Sequence, residues 1–199
     1  MKKKFAFLII VFLVLINFQS WTKAGDISDF EIEGISIGES LLEHFSEEEI
    51  LANEVNYYDD DYFITSEFSG FEKFENYESI NVSYKKKDKN YIIYALSGFN
   101  FYFDDIKKCY TDMREVDNEV RYLFKNLERT SSDSNHEADQ SGNSTVREIR
   151  YWFKNDSLIS IVCYNWSEKI TKEKRWTDNL SLEIVTNEFN NWLINKAWN

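Results

Sequence analysis

From Ile106 to Leu127 the apolar residues fall at alternating steps of three and four: Ile106, Cys109, Met113, Val116, Val120, Leu123 and Leu127. That spacing draws one stripe down a helix, because side chains three and four apart lie on the same face. Asp104 or Asp105 supplies the cap of its first turn, and Lys107, Lys108, Arg114, Glu119 and Arg121 are left for water. The stripe has to be buried on something. Immediately before it, Tyr91, Ile92, Ile93, Tyr94, Ala95 and Leu96 have the β-branched and aromatic character of a strand. Tyr91 to Leu127 therefore reads as a strand pair running into one long helix, and a helix laid on a sheet is the predicted centre of the fold. A coiled coil would use the same stripe, but it lasts only about three heptads and its neighbours are strands, which favours the sheet.

Similar patterns continue on both sides. Phe30, Ile32, Ile35 and Ile37 mark a short extended segment, and Leu41, Leu42 and Phe45 a turn or two of helix. Ser46 with Glu49 forms a capping box for a second short helix, which makes a helical corner at the N-terminal end. Tyr62 to Phe68 and Tyr77 to Tyr84 are strands, Lys85 to Asn90 is a charged hairpin loop, and Phe99, Phe101 and Phe103 alternate in a further short strand. Beyond the long helix, residues 126–144 are polar and without period and read as a surface loop of about 18 residues. Val146 to Phe153 and Leu158 to Trp166 follow as strands around the turn residues Asn155 and Asp156. Ile159, Ile161 and Cys163 share one face of the second; Val162, Tyr164 and Trp166 share the other. Glu168 to Asp178 reads as a charged loop. Leu180, Leu182 and Ile184 alternate in a last strand, after which Thr186 caps a terminal helix with Phe189, Trp192, Leu193 and Ala197 inside. The predicted class is α+β: an antiparallel sheet packed against a long amphipathic helix and a C-terminal helix, with the helices on one side and a short helical N-terminal corner.

The first residues set the compartment. Met1 to Lys4 is basic, Phe5 to Phe18 is an apolar block broken only by Asn17, and Thr22 and Ala24 are small residues at minus three and minus one. This is the pattern of a secretory signal, residues 1–24, cut after Ala24. The block is short for a membrane-spanning helix of about 20 residues, so no stable span is expected after cleavage. An uncleaved N-terminal anchor is the other reading. No cysteine follows the block, which excludes a bacterial lipoprotein signal. The rest, 25–199, is expected to form a single domain, since 199 residues that are 43% apolar, with no proline and six glycines, leave little room for a linker. Without the leader, which holds four lysines and no acid, 19 basic residues face 35 acidic ones and the net charge is −16. Such a surface repels nucleic acid and anionic lipid. Export to the periplasm or the medium favours a disulfide between Cys109 and Cys163, the alternative being two separate buried thiols.

The sequence holds no G-x-S-x-G, H-E-x-x-H or C-x-x-C, no glycine-rich phosphate loop, and two histidines. No catalytic set, cofactor or metal site follows from it. Three adjacent carboxylates at Asp59, Asp60 and Asp61 cannot all point at one ion and read as a solvated turn. Asp133, Asn135, Glu137 and Asp139 have the spacing of a calcium loop, but the glycine and bidentate glutamate positions are Ala138 and Ser144. His44 has no partner spaced to make it a ligand. Two candidates remain. His136, Asp139 and Ser141 place a base, an acid and a hydroxyl close together in the polar loop, the basis of a hydrolase reading. Trp166, with Trp152 and Tyr164, offers a face for stacking a sugar or meeting a protein.

The run Phe30 to Ile50, FEIEGISIGESLLEHFSEEEI, with Cys163 to Trp166 and with Asn179 to Ile184 ahead of Trp192 and Leu193, resembles a group of uncharacterised secreted proteins of marine alphaproteobacteria. The resemblance spans most of the mature chain and implies no activity. Ile35 to Ser40 is also similar to the start of small envelope domains of the outer-membrane-assembly lipoprotein type, whose lipid-bearing cysteine this chain lacks. The expectation is an exported, non-enzymatic protein that acts by binding, with a hydrolase at the His136 loop and an envelope assembly factor as alternatives. Mass spectrometry of the protein recovered from its producing cells is expected to find Gly25 as the first residue; a retained Met1 would remove the leader reading.

Overall fold

The computed structural model describes residues 26–103 and 105–198; the leader expected over 1–24, and Asp104 as a possible cap, lie outside the described residues. Its frame is an eight-stranded antiparallel sheet, which together with four helices makes the chain α+β, as the patterning predicts. The strands are β3 (Glu54–Val55), β4 (Phe63–Ser69), β5 (Ser79–Lys85), β6 (Ile93–Phe101), β7 (Glu128–Asn135), β8 (Thr145–Trp152), β9 (Leu158–Asn165) and β10 (Asn179–Val185). A separate small hairpin, β1 (Glu31–Ile32) with β2 (Ile35–Ser36), precedes them. The order β3-β4-β5-β6-β10-β9-β8-β7 shows how the sheet is built: two meanders run inward from opposite edges, and the last strand closes the gap between β6 and β9.

The helices are α1 (Glu47–Ala52), α2 (Ile106–Leu123), α3 (Glu168–Lys174) and α4 (Asn187–Asn195). Helix α2 links the two meanders and lies on β9 and β10, with Cys109, Met113 and Val120 buried. Asp105 is its cap, its side chain accepting from the Lys108 N–H. The helix stops at Leu123, one turn short of the Leu127 expected from the stripe, because Phe124 leaves helical geometry and turns into the core, where it meets Phe30 and Phe153. Cys109 is joined to Cys163 of β9, with a Cα–Cα distance of 6.2 Å. Four residues from Met113, Asp117 is buried beneath the helix, and Arg129 donates to both its oxygens at 2.9 and 3.1 Å while the Tyr151 hydroxyl donates to one of them. Burial pushes this carboxyl up, but the bonds from Arg129 and Tyr151 and the charges of Arg129 and Arg121 outweigh it and hold it below the ordinary carboxylate range.

The N-terminal corner extends the same core. Phe45 stacks on Phe68 at 3.7 Å between centroids, and the Lys73 ammonium lies 3.4 Å from the centre of the Phe45 ring. Glu33, in left-handed backbone, accepts from the N–H groups of Glu75, Asn76 and Tyr77 and so ties the loop before β5 to the first hairpin.

Four expectations need correction. The segment 91–103 is not a strand pair but one strand, β6, continuous through Gly98; a Cβ there would fall 2.7 Å from the Tyr77 ring, so glycine is what lets the ring lie on the strand. Residues 126–144 are not a loop, since Glu128–Asn135 form the edge strand β7. Both rows of its side chains are largely exposed, and an edge that buries neither face carries no apolar period. Glu168 to Lys174 is helical, capped by Ser167, with Ile170 its one buried residue. Finally, the helices do not share one side. Val185, the last residue of β10, faces away from α2, and α4 follows at once, so Phe189 and Trp192 come down on Phe63, Ala95, Leu158 and Val185 of the opposite face.

Closing a loop of 54 residues, the bridge between α2 and β9 raises stability through the unfolded chain by roughly 4 kcal/mol. The double variant Cys109→Ser, Cys163→Ser is expected to lose about 2–4 kcal/mol in urea unfolding, with the midpoint lowered and the slope steepened as the unfolded chain expands; an unchanged midpoint would contradict the clamp.

Candidate functional site

Paired residues of an antiparallel ladder point to the same side, so the registers define two faces row by row. The face under α2 is apolar: Leu96, Ile184 and Ile159 form one row, Ile80, Leu182, Ile161 and Ile149 the next. The second face differs. Its row next to α4 is Thr65, Ser83, Ala95, Val185, Leu158 and Trp152; the next is Glu67, Asn81, Ser97, Glu183, Ser160 and Arg150. Beyond these come Ser79, Phe99, Ser181, Val162 and Glu148, then Phe101, Asn179, Tyr164 and Val146. A band of serine, asparagine and glutamate thus crosses the middle of the sheet between two aromatic ends.

Glu183 stands in the centre of this band. Ser181 Oγ donates to its Oε1 at 2.7 Å and Ser160 Oγ to its Oε2 at 3.2 Å. Burial raises its carboxyl above the ordinary value against those two bonds, with Glu148 adding to the rise. Glu148 is itself held by Arg150 at 2.6 Å, and Glu67 accepts from the Tyr57 hydroxyl. At the α4 end Tyr58 is edge-on to Trp192, and its phenol is pushed up to about 12, first of all by burial.

The other end is an aromatic corner. Tyr164 and Trp166 stack with their planes 4° apart and centroids 5.5 Å apart; Trp176 lies 4.6 Å from Trp166 and His136 another 4.6 Å. Trp176 is 39% exposed. Trp166 is positioned from below, its backbone N–H donating to Asp178 at 2.7 Å. Burial against these rings lowers the His136 imidazole, and its Nδ1 accepts from the Ala138 N–H at 3.1 Å, which leaves the proton on Nε2.

The structure therefore brings His136 and Trp166 together but gives Asp139 and Ser141 other work. Asp139 is buried and accepts from Ser141 Oγ, Ser144 Oγ and the N–H groups of both serines, so it is the knot of the β7–β8 turn. Those bonds, Ser141 first, hold its carboxyl far below the usual range. Among the described residues His136 makes no side-chain hydrogen bond to Asp139 or Ser141, and no acid–base–hydroxyl relay is assembled. Trp152 pairs with Leu158, six residues or roughly 20 Å of strand from Tyr164, and packs instead against the core cluster below α4. Asp133 pairs with Arg147, and among the described residues no three His, Cys, Asp or Glu side chains gather as metal ligands. No described helix is long and apolar enough to cross a membrane.

Sequence reasoning missed Asn81, Ser160, Asn179, Ser181 and Glu183. The signal was present as the polar partners in Ser79 to Ser83 and in Asn179 to Val185, where every second residue is hydrophilic. No protein family, curated protein sequence or solved structure matches this chain.

Three buried side-chain polar atoms have no hydrogen-bond partner among the described residues: Asn81 Oδ1, Asn179 Oδ1 and Trp166 Nε1. All three belong to this one face. Because burial favours the neutral imidazole, His136 is expected to titrate below the ordinary value of about 6.5, so stability is intact above that value and falls as pH drops from it through the lowered folded value. Replacing Trp166 with alanine should raise the midpoint toward the ordinary value in an NMR titration; an unmoved midpoint would mean the rings do not shield it.

Proposed function

We propose that the protein is exported and acts by binding, without catalysis, and that its ligand lies on the second face of the sheet between α4 and the Trp166 corner. The observation that carries this reading is the aromatic corner, where the stacked Tyr164 and Trp166 adjoin Trp176, itself 39% exposed. Trp and Tyr give large, rigid contact area with a polar edge, the composition that binding surfaces favour. Export is supported by the leader pattern and is compatible with the Cys109–Cys163 bridge. The unassembled His136 cluster gives a hydrolytic reading nothing to stand on.

Indole N–H resonances test the reading whatever the ligand is. Adding a soluble envelope extract of the producing cells to the nitrogen-labelled protein is expected to shift the signals of Trp166 and Trp176. Trp192, whose N–H is already engaged by Asp60 at 2.6 Å, should stay in place. Stationary Trp166 and Trp176 signals across all extract fractions would refute it.

A further inference from the structure

The two edges of the main sheet end differently. At one, β3 is only two residues long, the shortness by which native sheets blunt an edge. At the other, β7 runs for eight residues in unbroken register with β8, without proline, lysine or bulge, and all of its residues but Arg129 are exposed. Two of its charges are spent inward, Arg129 on Asp117 and Asp133 on Arg147. We propose that β7 pairs antiparallel with β7 of a second copy of this chain across a two-fold axis, joining the two sheets into one.

The direction of the free backbone groups follows from one bond. His136 N–H donates to the Ser144 carbonyl at 2.9 Å, which turns His136 toward β8. Counting back by twos, Ser134, Ser132, Thr130 and Glu128 turn the same way, and the N–H and C=O groups of Arg129, Ser131, Asp133 and Asn135 point out of the sheet. Among the described residues no strand lies beyond them and none of these four N–H groups has another acceptor.

Self-pairing has to set outward residues against outward residues. Centred on Ser132, it places Arg129 opposite Asn135 of the copy and Ser131 opposite Asp133, with both reciprocals, so all four exchange ladder bonds. Centred on Ser131 it leaves Asn135 beyond the strand; centred on Asp133 it leaves out Arg129 and sets Asp133 against its own copy. The Ser132 register also puts Thr130 opposite Ser134 and Ser132 opposite itself, hydroxyl pairs that sheets favour, with no like charges facing. A peptide would gain the same main-chain bonds, but an edge that recruits peptides selects them through pockets for alternate side chains. Both rows of β7 are short and polar, and the hollow beside it reaches only Asp133, Ser134 and Asn135. What β7 matches, pair for pair, is itself. The axis stands perpendicular to the sheet, so both second faces look the same way, with His136 opposite Glu128 of the copy and about 27 Å along the strands from its own counterpart. The dimer does not rest on the aromatic corners binding anything.

Sedimentation of the exported protein from about 1 μM to about 1 mM is expected to show a monomer–dimer equilibrium that tightens severalfold from low to high salt, because two strongly acidic chains repel. Over that range amide exchange should slow at Arg129, Ser131, Asp133 and Asn135, while Thr130, Ser132 and Ser134, already bonded to β8, stay as they are. Ser132→Cys meets its copy on the axis in a non-hydrogen-bonded pair with Cα atoms about 4.5 Å apart, so it should form an interchain disulfide in air, and Ser134→Cys should not. Ser131→Pro removes an outward N–H and no bond to β8, and should weaken the dimer at least about tenfold with thermal unfolding little changed. A chain that stays monomeric at about 1 mM overturns the inference, as does a dimer that leaves the four amides unprotected and Ser132→Cys uncrosslinked. Protection of those amides by the envelope extract in a chain that stays monomeric overturns it too, and gives the edge to a different protein. The Trp166 and Trp176 signals report on the corner separately, so either reading can fall without the other.

Discussion

Everything in this molecule depends on the strict period of two in an antiparallel ladder. With seven strand pairs in one register-locked sheet, the residue type at each position decides which face it serves, and a slip by one residue in any strand would exchange the two faces. The apolar row of Ile184, Ile159 and Leu96 is what forbids the slip, since it would be turned away from α2. The polar row of Asn81, Ser97, Glu183 and Ser160 is the necessary complement of that alternation. One local departure is used. Between Ser83 and Tyr84 the β5–β6 register shifts, so Tyr94 and Ala95 both serve the second face, where they meet Phe63 and the underside of α4.

The two faces carry different burdens. On the first, packing is dense and its polar groups are met: Asp117 is enclosed by Arg129 and Tyr151, and Ser66 by the Ile50 carbonyl and the Tyr84 hydroxyl. The disulfide fixes α2 to β9 on that side alone. The second face is apolar only where α4 covers it, and the Trp192 indole there is matched by Asp60. Stability is concentrated on one side of the sheet, which frees the composition of the other.

The legible part of the fold was the part governed by a period. The stripe Cys109, Met113, Val120 and the alternation Ile159, Ile161, Cys163 each needed no knowledge of distant residues, and both lie on the face that has to be apolar. The strand β7 was illegible for the opposite reason: an exposed edge is held by its ladder with β8 and by pairs such as Asp133 with Arg147, and neither leaves a hydrophobic signature. The position of α4 was illegible because it depends on which way Val185 points, a matter of register through the whole sheet. Of the site, Trp166 and His136 were visible as residue types. Their contact was not, since it is made by folding the β7–β8 turn, with Asp139 at its centre, against the end of β9.

The unmet groups among the described residues are gathered rather than scattered. Defects of folding have no reason to prefer one surface, and three of them scattered over core, loops and caps would each be a local accident. Here a carbonyl from β5, a carbonyl from β10 and an indole N–H just past β9 lie on the same side of strands that are far apart in sequence. They share that side with a carboxylate already tied to two serines, while across the sheet thickness the buried Asp117 is bonded by Arg129 and Tyr151. The second face likewise satisfies its charged groups, Glu183 through Ser181 and Ser160 and Glu148 through Arg150, so the asymmetry between the faces lies in the neutral amides and the indole.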